Sequence, residues 1–247
     1  MKTYIIPDLH QKVSWVENFI ESLNDDYDEI VFLGDYFDTH PSMFASDGYD
    51  TAMWLRYSLR QPKRIHILGN HDIQYFFPRA KELICSGWNP ETNRRIRDVI
   101  MPDDWMGMKL FHFTQNFYLS HGGLHQSWAS HPVLGIDNNH LTSMCNKAMD
   151  ALMTGYVDRI FMAGASRGGR YPVGGITWLA FDSELTPIRG INQVVGHHFG
   201  HKVREKLMPN RKKCVSENYC IDCMCKFIGR ITDGKFDYIE NKWLTNS

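Results

Sequence analysis

Five short segments carry residues that could do chemistry: Asp8-Leu9-His10, Gly34-Asp35-Tyr36-Phe37-Asp38, Gly69-Asn70-His71-Asp72, Ser120-His121-Gly122-Gly123 and Gly196-His197. Each sets a carboxylate, an amide or an imidazole beside a small residue or a turn. Carboxylate oxygens and neutral imidazole nitrogens are ligands for zinc, iron and manganese. A single Asp-x-His says little, because a lone Asp or His at a strand end is usually a turn former or a cap. Five such segments in this order say much more, since the bland explanation must then hold at every one of them.

The elements around these segments explain how they could meet. Lys2–Pro7 is a short apolar run that ends in polar residues. Ser14–Leu23 places Trp15, Phe19, Ile20 and Leu23 at helical spacing, with Ser14 as the expected cap. Glu29–Leu33 is a buried strand that ends at Gly34, Tyr49–Leu59 is helical, and Arg64–Leu68 is a strand that ends at Gly69. This βαβαβ order predicts a parallel sheet. Asp8, His10, Asp35, Asp38, Asn70, His71 and Asp72 then follow the C-terminal ends of three successive strands, the edge where open α/β sheets bind ligands.

Later in the chain, Lys109–Thr114 and Asn116–Ser120 read as a hairpin, His140–Met153 as a helix, and Asn192–Val195 as a strand running into Gly196-His197-His198. Tyr219–Cys223, Phe227–Thr232 and Phe236–Glu240 read as a meander, with Asp233-Gly234 as a hairpin turn. These late strands predict a second sheet packed on the first. The stretch Gln126–Gly175 reads as an insertion near the site, with one helix and flexible loops.

The chain has 247 residues, 43% of them hydrophobic, which suits one substantial core. Its formal net charge of −1 gives no global drive toward nucleic acid. The runs Arg94, Arg95, Arg97 and Arg211, Lys212, Lys213 read as solvated surface. No run approaches the roughly 20 apolar residues of a membrane span, and the N-terminus does not read as a secretory signal. The expectation is a cytoplasmic protein. Cys85 and Cys145 stand alone, while Cys214, Cys220, Cys223 and Cys225 cluster without the second spaced pair of a structural zinc site. They are expected to be small buried thiols.

The five segments together resemble the calcineurin-like metallophosphoesterases, whose pattern runs DxH, GDxxD, GNH(D/E), H, GH, over residues 4 to about 201. His121-Gly122-Gly123-Leu124 resembles the protein-phosphatase and diadenosine-tetraphosphatase branch, and Asn218–Asp222 resembles the closing strand of bacterial and phage members. The resemblance implies an α/β metallophosphoesterase fold: two mixed β-sheets packed as a sandwich and flanked by helices. It implies a single domain over residues 1–247, with an insertion at about 124–178.

It also implies two divalent cations, most simply manganese, with iron, zinc or a mixed pair accepted by the same donors. Asp8 and His10 would bind the first, Asp35 would bridge both, and Asn70, His121 and His197 would bind the second. His71 would be the general acid, with Asp38 holding its other ring nitrogen. The implied function is a phosphatase that hydrolyses phosphomonoesters (phosphoprotein, nucleotide or other small phosphoesters) by a metal-activated hydroxide. A phosphodiesterase or dinucleoside-polyphosphate hydrolase is one alternative, and a catalytically silent metal-binding scaffold is another.

The chain departs from the family pattern in two places. Many members end Gly-His-x-His, but position 199 is Phe, which leaves His198 and His201 as candidates for the first metal. The protein-phosphatase branch has Arg after GDxxD, but here Thr39 follows, which leaves Arg170 and Arg189 as candidates for gripping phosphate.

Overall fold

The computed structural model describes residues 1–39, 47–77, 79–131, 133, 135–210 and 213–244. Residues 40–46, Arg211 and Lys212 of one basic run, and the side chain of Cys214 lie outside the described residues.

Among the described residues, ten strands form two five-stranded sheets. The first has the order β10 (Lys235–Glu240), β9 (Phe227–Thr232), β1 (Lys2–Ile6), β2 (Glu29–Phe32), β3 (Arg64–His66). The second has the order β4 (Phe111–Thr114), β5 (Phe117–Ser120), β6 (Asn192–Val195), β8 (Lys213–Cys220), β7 (Arg204–Asn210). Strands β1, β2 and β3 run parallel, so their connections must cross over, and the helices α1 (Val16–Ser22) and α2 (Gly48–Ser58) make those crossings. The remaining helices are α3 (Asn70–Phe76), α4 (Pro90–Val99), α5 (Pro102–Trp105), α6 (Gln126–Ala129) and α7 (Asn138–Thr154).

Alternation along the strands of the first sheet feeds two core layers. Ile5, Val31, Leu33 and Ile67 from the first sheet pack with Phe117, Leu119, Val194 and Ile221 from the second. Their neighbours Tyr4, Ile6, Ile30 and Phe32 point the other way, into a layer with Val16, Phe19, Ala52 and Leu55 of α1 and α2. A strand covered on both faces reads as a continuous apolar run, which is why Ile30-Val31-Phe32 has no polar alternate. Each such side chain contributes about 1.5–3 kcal/mol by leaving water.

Two hairpins close tightly. Gln115 and Asn116 (φ 47° and 69°) join β4 to β5, and Asp233 and Gly234 (φ 49° and 76°) join β9 to β10, both with the left-handed pair of a two-residue turn. The expected C-terminal meander is only half present. β9 and β10 pair, but the strand before them, β8, belongs to the other sheet, where it lies parallel to β6. The first helix also starts later than expected, at Val16, with no side-chain cap from Ser14. No helix among the described residues is long and apolar enough to cross a membrane.

Candidate metal and phosphate site

Strand register brings the five segments together. Ile6 pairs with Phe32, and Phe32 with His66, so Asp8, Asp35 and Asn70 leave the first sheet two, three and four residues later at one edge. In the second sheet Ser120 pairs with Val195, and Val195 with Cys220. His121, His197 and Asp222 therefore leave side by side, one or two residues on. Gly196 N–H donates to the His121 carbonyl (2.8 Å), and His197 N–H donates to Asp8 Oδ2 (2.9 Å), which ties the two sheets at the site.

The loops also brace one another. Leu9 and His10 N–H both donate to the Asp35 carbonyl (3.1 and 2.7 Å). Asp72 accepts from the N–H groups of Asp35, Tyr36 and Gly69, each at 2.8 Å, and so fixes the second loop against the third. Burial, then the Asp35 charge, pushes its carboxyl up to about 7 while those N–H groups pull it down. His10, Asp35, Asp38 and His197 all have positive φ (43°, 50°, 62° and 62°). The left-handed region costs non-glycine residues roughly 1–2 kcal/mol each, so strain gathers here and the surrounding bonds hold it. Two glycines allow the close approach: a Cβ on Gly69 would run into Asp35 Oδ1, and one on Gly196 into Asp8 Oδ1.

Two sets of side chains present donor atoms close enough to share an ion: Asp8, His10 and Asp35, and Asp35, His121 and His197. Asp35 belongs to both. Backbone carbonyls fix the imidazoles. His121 Nδ1–H donates to the Leu33 carbonyl (2.8 Å), and His10 Nδ1–H to the Phe37 and Asp38 carbonyls (3.1 and 2.9 Å). That leaves each Nε2 facing inward, His121 at 3.3 Å and His10 at 3.7 Å from Asp35 Oδ2.

The donor set fits a cation. His121 Nε2 lies 3.0 Å from Asn70 Oδ1 as well as near Asp35, so three electron-rich atoms converge on one point. His197 Nε2 is buried with no hydrogen-bond partner among the described residues. Burial opposes a charge on His121, yet Asp35 and then Asp8 raise its pKa to about 9. The same burial would raise Asp35, but the facing His121, His71 and His10 hold it far below the carboxylate range. The site therefore calls for positive charge. No cysteine belongs to either ligand set among the described residues. Cys220, Cys223 and Cys225 are free and buried, and two of them brace the site from behind: Cys225 Sγ donates to the Asp8 carbonyl (3.1 Å) and Cys220 Sγ to that of Gly196 (3.3 Å).

His71 stands beside these sets, its ring 5.3 Å from that of His10. Its backbone N–H donates to Asp35 Oδ1 (2.9 Å), and its Nδ1 pairs with Asp38 Oδ2 (2.9 Å). Burial disfavours its charged form, but Asp35 and the Asp38 bond outweigh this and lift its proton affinity well above the usual imidazole range.

His198 and His201 belong to neither ligand set among the described residues. His198 turns to Asp182, accepting from its N–H at 3.2 Å, and the exposed His201 stacks edge-on with Phe199. Arg170 is exposed over Tyr171, and Arg189 is exposed. Other residues take places near the site. Burial first depresses the proton affinity of His197 and His198, and the charge of Arg167, in a 3₁₀ turn Ala165–Arg167, adds to it in both. Burial raises the carboxyl of Asp222, with the charge of His10 opposing, and Asp222 in turn raises that of Asp8. The Trp178 ring meets His197 edge-on at 5.4 Å. Arg167 lies three residues before Arg170.

A family model described as calcineurin-like phosphoesterase matches residues 1–208. No curated protein matches the chain in sequence. Among solved structures, the cold-active protein-tyrosine phosphatase of the psychrophile Shewanella sp. is similar over 97% of this chain and 80% of that one, at 15% identity and a TM-score of 0.58. A mutant of a cold-active protein tyrosine phosphatase has a TM-score of 0.60 at 14% identity, with the same 97% and 80% covered. At such identity the likeness is one of fold.

Proposed function

The chain belongs to the calcineurin-like phosphoesterase family, a metallophosphoesterase-type hydrolase, and from that premise we propose that it cleaves phosphomonoesters with two divalent cations and His71 as general acid. Asp8, His10 and Asp35 would hold the first cation, and Asp35, Asn70, His121 and His197 the second. When bound, the cations polarise the phosphoryl oxygens and supply the activated water of hydrolysis. Manganese is our first choice, and iron or zinc suits the same oxygen and nitrogen donors.

The observation that carries the reading is the pairing of His71 Nδ1 with Asp38 at 2.9 Å beside a carboxylate shared by two ligand sets. A scaffold that only bound metal would have no use for that pair. Asp38 fixes the proton on Nδ1 and orients the ring, so Nε2 is free to give its proton to the leaving oxygen as the P–O bond breaks. Asp72 keeps the loops of Asp35 and Asn70 in place through three N–H bonds. Arg167, whose charge reaches His197, would meet a non-bridging oxygen of the phosphate. A dianionic monoester suits this density of positive charge better than a monoanionic diester. The free cysteines suit a reducing compartment, and we place the protein in the cytoplasm.

The test is a panel assayed with added Mn²⁺: p-nitrophenyl phosphate, its bis ester, phosphopeptides, mononucleotides and dinucleoside polyphosphates. The monoester should be preferred. Preference for the bis ester or a dinucleotide would replace this reading with a phosphodiesterase or polyphosphate hydrolase, and no turnover of any ester would leave a silent scaffold. His71→Asn should lower kcat on phenyl phosphate by roughly 10²–10⁴-fold with metal content unchanged.

A further inference from the structure

We propose that Tyr75 and Gln74 are positioning residues that clamp Asp38, and through it set the ring of His71 for proton delivery. The inference rests on the reading of His71 as general acid. It comes from helix geometry. His71, Gln74 and Tyr75 occupy positions i, i+3 and i+4 of α3, so their side chains share one face. All three end on one carboxylate. Asp38 Oδ2 accepts from His71 Nδ1 (2.9 Å) and from Gln74 Nε2, and Asp38 Oδ1 accepts from the Tyr75 hydroxyl.

The clamp is itself held. Cys85 N–H donates to Gln74 Oε1 (2.9 Å), which turns the amide so that its NH₂ faces Asp38. Burial, then the Asp38 charge, drives the Tyr75 phenol far above its usual range, so it remains a donor. Gly87 packs directly on the carboxylate, and a Cβ there would lie 2.8 Å from that of Asp38. With both oxygens bonded and one face walled, the carboxylate cannot rotate, and the imidazole it holds cannot swing. The carboxylate they hold, Asp38, belongs to neither metal-ligand set among the described residues.

A positioning role has a signature that simple structural damage lacks. Proton delivery matters for a poor leaving group and hardly at all for a good one. In the Mn²⁺-loaded protein, Tyr75→Phe should lower kcat on phenyl phosphate by roughly 10–100-fold, the range for residues that orient a functional imidazole. On 2,4-dinitrophenyl phosphate it should change kcat less than about twofold. Gln74→Met should behave alike, and it serves as the test if Tyr75→Phe fails to fold. Because the clamp acts through Asp38, the double variant Asp38→Asn/Tyr75→Phe should be no slower than Asp38→Asn alone.

Equal losses on both esters, no loss on either, or additivity in the double variant would overturn the clamp. Asp38→Asn measured alone separates that failure from a failure of the general-acid reading. If it slows phenyl phosphate selectively while Tyr75→Phe and Gln74→Met do not, the clamp falls and the acid stands. If Asp38→Asn shows no selectivity, both fall.

Discussion

His66 is a titratable group that the fold has removed from titration. It lies under β2 and α2, with the Tyr36 hydroxyl 3.0 Å from Nδ1, Ser58 Oγ 3.1 Å from Nε2, and the Phe32 ring stacked at 4.5 Å. Burial lowers its pKa from 6.5 to about 3, with the Ser58 bond opposing and the Arg64 charge assisting. The sign follows directly. The unfolded chain protonates this ring below 6.5, but the folded chain does not until about 3. The stabilisation is therefore whole above pH 6.5 and drains away as pH falls toward 3. At pH 5 the loss is about 2 kcal/mol, from roughly 1.5 pH units at 1.36 kcal/mol each. Urea unfolding of the chelated protein at pH 7 and pH 5 measures it: wild type should lose about 2 kcal/mol more than His66→Gln. Equal losses would mean that His66 is not the source. Nothing in the sequence marked this residue, because Arg64–Leu68 reads as an ordinary strand and only the overlying Tyr36 and Ser58 make the ring special.

At the scale of elements, the site is a property of strand ends and of what lets them approach. Gly196 sits between β6 and His197 because Asp8 Oδ1 occupies the space a side chain would need. Gly196→Ala should push Asp8 away from His10 and Asp35, lowering Mn²⁺ affinity by about tenfold or more while far-UV circular dichroism is retained. Unchanged affinity by calorimetry would show that Asp8 has room to yield. This kind of local logic is what made much of the molecule legible. Glycines mark the ends of β2, β3 and β6, and Asp233-Gly234 announces its hairpin. Sheet membership is not local. β8 looks like the first strand of a C-terminal meander, yet it pairs with β6, and that pairing is what carries Asp222 to the site. No helix was expected to carry His71, Gln74 and Tyr75, and their shared target was hidden as well, since Asp38 reaches that face only through the left-handed turn at φ 62°. His198 and His201 join neither ligand set among the described residues for a similar reason. The chain turns after His197, and Asp182 draws His198 aside.

Across the whole molecule, the proposed cations would join the two sheets. Asp8, His10, Asp35 and Asn70 leave the first sheet, and His121 and His197 leave the second. Without cations the interface gathers buried carboxylates: Asp8, Asp35, Asp72 and Asp222 are each at most 5% exposed. Burial, then repulsion from Asp222, raises Asp8 well above the carboxylate range, a sign that folding without cations pays in desolvated charge. An ion that binds only the folded chain stabilises it by mass action, about 2.7 kcal/mol at a hundredfold excess over Kd. For a chain of this length roughly 2–4 °C accompanies each kcal/mol, so Mn²⁺ at that excess should raise Tm by about 5–10 °C over the chelated protein. Asp35→Asn should erase most of that difference, because Asp35 belongs to both ligand sets. His125, which lies outside them, provides the control: His125→Ala should keep the full shift. A Tm indifferent to Mn²⁺ in the wild-type chain would mean that the sheets meet here without cations, and the functional reading built on a two-cation site would go with it.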